Sequence, residues 1–142
     1  MDCYPGVNDD EVLSALIEGI KPDYIVKSED IFYDEETLNK MMAAHLTEDR
    51  VRGVMYYGPM SDFVDEAQRL YYEKKVKECK GVRLIYGVGA SLIMKGDLLV
   101  YADMARWEIQ LRYRKGMSNF KCHNEEEDSL RKYKRAFFIE WC

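Results

Sequence analysis

GVRLIYGVGASLIMKGDLLVYADMARWEIQLRYRK, residues 81–115, decides the fold class. The apolar run Val82 to Tyr86 breaks at Gly87 and Gly89. A second run, Leu98 to Tyr101, breaks at Asp103 before a helical pattern carrying Arg106, Arg112, Arg114 and Lys115. Strand, glycine turn, strand and arginine-bearing helix form the grammar of a parallel α/β sheet whose ligands sit at the strand ends.

Working outward, Asn8 followed by Glu11 fits an N-cap and capping box, and Val12, Leu13, Leu16, Ile17 and Ile20 recur at helical spacing. The pattern predicts a helix from Asp9 to Ile20, a strand at Tyr24-Ile25-Val26 that hands over to residues 28–33, and a helix from Glu35 to Leu46. Residues 47–59, with Gly53, Gly58 and Pro59, read as a short strand or a lid-like excursion. A longer helix follows from Asp62 to Glu78. After Asp103, Met104, Trp107 and Leu111 form one stripe, with Arg106, Gln110 and Tyr113 on a different face. A last short helix starts acidic at residues 124–128 and ends basic before Phe137-Phe138-Ile139-Glu140-Trp141, which reads as a strand on β propensity. Only Asp2, Cys3 and Tyr4 precede the first turn, and the final apolar run carries no polar tail. The expectation is a single domain, 1–142, that is a piece of a longer polypeptide cut at both ends.

Composition narrows the function classes. At 47% apolar and 33% charged residues the chain can bury a core. Its net charge of −5 conceals a division. Residues 1–66 hold 16 acids against 5 bases, and residues 67–142 hold 10 against 16, so the halves are expected to attract each other. No uninterrupted basic face offers itself to nucleic acid. No apolar run approaches the roughly 20 residues that cross a bilayer. Four cysteines without C-x-x-C spacing, in a chain with no secretory pattern, read as reduced thiols in a cytoplasm.

Each chemical candidate has two readings. Gly87 and Gly89 could turn backbone N–H groups toward a phosphate, but the turn lacks the lysine and spacing of a P-loop, and a plain strand-to-loop turn competes. Arg106, Arg112 and Arg114 suit bidentate phosphate contact, or ion pairs with surface acids such as Glu108. Asp30 and Asp103, each ending a predicted strand, are either catalytic carboxylates or helix caps. At Tyr4-Pro5-Gly6-Val7, where an α/β nucleotide site would bind phosphate, there is one glycine and no lysine, and Asp9, Asp10 and Glu11 would repel a triphosphate. His45 and His123 have no spaced second ligand for zinc.

Several motifs carry a resemblance: DCYPGVNDDEV (2–12), LTEDRVRGVMYYGPMSDFVD (46–65), YGVGASLI (86–93), and VYADMARWEIQLRYRK onward through LRKYKR (130–135). Together they resemble the domain that precedes the cupin domain in bacterial type I mannose-6-phosphate isomerases, over nearly the whole chain. The resemblance implies an accessory domain whose partner is a C-terminal cupin domain of the same polypeptide. That cupin, absent from these residues, would hold the catalytic zinc, so no cofactor is expected in this chain. A phosphorylated small molecule is the expected ligand.

More remotely, the element order is similar to uridine-kinase-like P-loop proteins, with Asp30-Ile31-Phe32-Tyr33 resembling their strand-end Asp-x-Phe-Tyr and residues 98–115 their strand, aspartate and arginine-rich lid helix. This implies a three-layer α/β fold with a mostly parallel sheet and a degenerate P-loop nucleoside-kinase-like domain. The alternative function is a small phosphotransferase using Asp30 or Asp103.

Overall fold

The computed structural model describes residues 1–140. It is mixed α/β with short parallel strands. β1 (Asp2–Cys3) pairs with β4 (Tyr101–Ala102), and β2 (Tyr24–Lys27) with β3 (Arg83–Tyr86), both pairs parallel. A parallel bridge from Asp2 to Gly87 joins the two pairs, with Cys3 N–H donating to the Gly87 carbonyl at 3.0 Å. The strands therefore run in the order β2-β3-β1-β4.

Alternation along the strands divides the core. Leu84 and Tyr86 pack with Cys3 and Val88 against Val12, Leu13 and Leu16 of α1 (Asp9–Ile20). Val26 and the half-buried Ile85 face the other way, toward Leu38 and Met42 of α2 (Glu35–Leu46), Val76 of α3 (Glu66–Glu78) and Ile93 of α4 (Ala90–Ile93). Period-two side chains thus bury both faces of the β2-β3 pair under helices. A third cluster joins Ile109 and Tyr113 of α5 (Arg106–Arg114) to Ala136, just beyond α6 (Ser129–Arg135).

Several expectations need correction. Phe137 to Glu140 is no strand, because Ala136–Glu140 continues α6 as a π-helical turn. Its apolar side chains are buried by packing: Ile139 enters the main core and Phe138 lies against it. Trp141 lies outside the described residues.

Asn8 does cap α1, but its side chain makes no cap hydrogen bond, so the capping box does not form. Residues 47–59 contain no strand; their backbone is tied down by Val54 N–H to the His45 carbonyl (2.7 Å) and Tyr56 N–H to that of Phe138 (2.9 Å). The helix expected from Asp62 begins only at Glu66, where Asp65 accepts from Ala67 and Gln68 N–H. A 3-10 turn at Met60–Phe63 precedes it.

On α5 the expected stripe is not the buried face. Trp107 is 61% exposed, while Ile109 and Tyr113 are buried. Nor is the basic run of α6 a solvated face. Lys132 and Lys134 are buried, with ammonium groups donating to the carbonyl oxygens of Glu125 (2.7 Å), Thr47 (3.3 Å) and Asp49.

Candidate functional site

In an open parallel sheet the ligand crevice opens beyond the carboxyl ends of two neighbouring strands whose connections depart in opposite directions. Here those strands are β1 and β3, since α1 carries the chain from β1 to β2 while α4 carries it from β3 to β4. A cleft of about 210 Å³ opens there between the turn after β1, the turn after β3 and residues 117–121. Two further cavities adjoin it at Pro5.

The turn after β3 does hold an anion, and it is one of the chain's own. Asp2 Oδ1 accepts from Gly89 N–H (2.9 Å), while Oδ2 accepts from Ser91 N–H (3.1 Å) and Ser91 Oγ (2.5 Å). Gly87 has φ +119°, and a Cβ there would stand 2.6 Å from Ser28 Oγ, so glycine is required on both counts. Gly89, at φ +72°, also occupies the left-handed region.

The turn after β1 is filled as well. Gly6, at φ +101°, lies against Ile109, whose Cγ1 would stand 3.0 Å from an added Cβ. The Gly6 carbonyl accepts from Arg112 Nη1 at 2.8 Å. At the start of α1, where a phosphate would meet backbone N–H groups, Asp9 Oδ1 accepts from the Tyr86 hydroxyl at 2.9 Å. Burial, with this bond second, pushes the Tyr86 phenol above its ordinary range.

The arginines do not converge. Arg112 spans Gly6 and Glu108, with Nε 3.2 Å from the Glu108 carboxylate. Arg114 lies over the Trp107 ring, 5.6 Å from its centroid, and Arg106 is exposed at the first turn of α5. None of the three lines the cleft.

Asp30 and Asp103 follow β2 and β4, the outermost strands of the order, and neither lines the cleft. They share a rim but not a site. Asp30 is exposed in the 3-10 turn Ser28–Ile31, beside Tyr72, whose phenol is raised by burial first and the Asp30 charge second. Asp103 is exposed and accepts from Met104 N–H at 2.8 Å.

The sequence reading missed a buried polar cluster behind the cleft. Glu140 accepts from Arg135 Nε (3.2 Å), Asn119 Nδ2 (3.2 Å) and the Tyr113 hydroxyl (3.3 Å). Burial pushes the Glu140 carboxyl up against the opposing pull of Arg135. Its signal was misread, since Glu140 sat inside the apparent strand FFIEW.

The thiol facing the cleft is a poor nucleophile, because burial pushes Cys3 up. Cys3, Cys79 and Cys122 are free thiols, and Cys122 is pushed up to about 12, by burial first. Among the described residues no three His, Cys, Asp or Glu side chains gather as a metal site, and no helix is long and apolar enough to cross a membrane.

No curated protein and no solved structure matches the chain. The family model of a domain of unknown function, DUF8485, matches residues 1–142, and the chain belongs to that family.

Proposed function

We propose that this chain is a catalytically silent accessory domain of a sugar-phosphate isomerase-like protein, built on a degenerate nucleoside-kinase-like sheet and serving as a rigid partner for a cupin domain. The observation that carries the silent part is the Asp2 carboxylate seated on Gly89 and Ser91. A phosphate at that turn would have to displace an acid held by three hydrogen bonds. At the start of α1 it would face Asp9, Asp10 and Glu11 with no lysine to neutralise it. The strand order β2-β3-β1-β4, with helices on both faces, supports the kinase-like reading of the scaffold. The sequence motifs quoted above support the link to the isomerase.

Phosphotransferase activity is the competing reading, and the absence of both Asp30 and Asp103 from the cleft lining weighs against it. The test has two arms. Purified protein incubated with labelled ATP, Mg²⁺ and a panel of nucleosides and hexoses is expected to transfer no label above blank, and mannose 6-phosphate is expected to remain unconverted. The DNA on either side of the coding segment is expected to encode a cupin isomerase, in frame or alongside. Label transfer in the first arm overturns the silent reading, and a neighbourhood without any cupin sequence overturns the accessory one.

A further inference from the structure

The cleft between β1 and β3 carries four charged side chains of opposite sign. Lys27 ends β2, Glu29 follows in the 3-10 turn, Asp9 opens α1, and Lys121 ends the lining segment 117–121. Among the described residues none of the four makes an ion pair with another: the pairs that form lie elsewhere, and Asp9's hydrogen bond is to neutral Tyr86. Residues of opposite charge that line one cleft without pairing with each other can offer both an acceptor and a donor to a guest.

The balance of sign selects the guest. A polyanion would be repelled by Asp9 and Glu29 and by Asp10 and Glu11 beside them. A simple cation would leave two ammonium groups unmatched, and a simple anion two carboxylates. A volume of about 210 Å³ with Phe120 and Tyr86 among its walls takes a small organic molecule.

We propose that this cleft binds a small zwitterion of the amino-acid class, its carboxylate between Lys27 and Lys121 and its ammonium group between Asp9 and Glu29. Charge-assisted hydrogen bonds at both ends make the dipolar molecule preferred over either half of it. The proposal is independent of the accessory reading, because a silent domain can bind or not bind such a guest.

The test follows amide shifts of the full chain by nuclear magnetic resonance. L-phenylalanine and L-serine are each titrated beside their amides, which keep only the positive charge, and beside 3-phenylpropionate and 3-hydroxypropionate, which keep only the negative. The expected result is saturable shifts at Lys27, Glu29 and Asn119 with at least one amino acid, and about tenfold weaker binding of both its analogues, the loss of one charged contact. Replacing both Lys27→Gln and Lys121→Gln should weaken the amino acid and leave its amide unchanged, and Glu29→Gln should do the same with respect to the des-amino acid. The four side chains sit at the cleft surface, and a dispersed spectrum of each variant establishes that it is folded. Absence of shifts with both amino acids overturns the proposal. So does a des-amino acid that binds as well as its parent, which marks a plain anion site, or an affinity indifferent to both sets of substitutions. The wild-type comparison decides the matter even where a variant does not fold.

Discussion

At the residue scale, the glycines after β3 left a plain turn and an anion site both open, and the structure seats the chain's own Asp2 on Gly89 N–H while Gly87 N–H donates to the Met1 carbonyl. Asp2 lies 87 residues from Gly89 along the chain, and nothing in either local pattern announces the pairing. Replacing Asp2→Ala leaves the two amides and the Ser91 hydroxyl without their partner and should destabilise the fold by about 2 to 3 kcal/mol, measured by equilibrium urea unfolding. Gly87→Ala should cost about 2 kcal/mol or more, since it joins a left-handed backbone to the close approach of Ser28 Oγ.

His123 was dismissed as a metal ligand on sequence grounds, and its partner is Glu35. The ring Nδ1 lies 2.6 Å from the carboxylate, which also accepts the His123 N–H at 3.0 Å. That bond holds Glu35 down at about 2 and raises His123 above its ordinary 6.5. The depressed acid contributes fully above its unfolded value of 4.5 and loses its contribution as pH falls through about 2. The raised histidine contributes fully below 6.5 and loses its contribution as pH rises through its folded value. The clamp of residues 121–124 onto α2 is therefore strongest between pH 4.5 and 6.5. The local opening free energy of amides there, from hydrogen exchange, should be greater at pH 6 than at pH 9, and the difference should vanish in Glu35→Gln.

At the element scale, α1 and α2 were readable because their apolar spacing is local and each boundary is marked, α2 by Asp34 accepting from Thr37 N–H at 2.8 Å. The run Phe137 to Glu140 was not readable, because β propensity expresses how a side chain packs beside a neighbouring strand and among the described residues no strand pairs with it. The face of α5 was misassigned for a related reason. Spacing singled out the Trp107 stripe, whereas the buried side chains are Ile109 and Tyr113, and the missing Cβ of Gly6 makes room for Ile109. Ile109→Ala should accordingly cost about 2 to 5 kcal/mol. Trp107→Ala, on the exposed side, should cost under about 1 kcal/mol. Paired urea titrations of the two variants read the difference directly, and equal losses would contradict the observed orientation of α5.

At the scale of the whole molecule, the α/β class followed from the alternation of short apolar runs and helices. The opposed charges of the two halves were also legible, but they do not act as a general attraction. Among the described residues most ion pairs are local, such as Lys40 with Glu36 and Arg69 with Glu66 and Glu73. Lys132 and Lys134 of α6 instead bury their charge on backbone carbonyls, and Arg135 meets Glu140 five residues on, which a sum over charged residue types cannot foresee. The candidate site was legible as a rim of strand ends. The acids at the start of α1 were legible too, but the seating of Asp2 on Gly89 and of Tyr86 on Asp9 was not, because both are long-range pairings. The most direct measurement of that claim is a ³¹P resonance titration of Mg²⁺-ATP with the full chain. The account predicts phosphate resonances unchanged in shift and width up to a molar excess of protein. Saturable broadening or a shift of the β- and γ-phosphates that disappears in Gly89→Ala would contradict it.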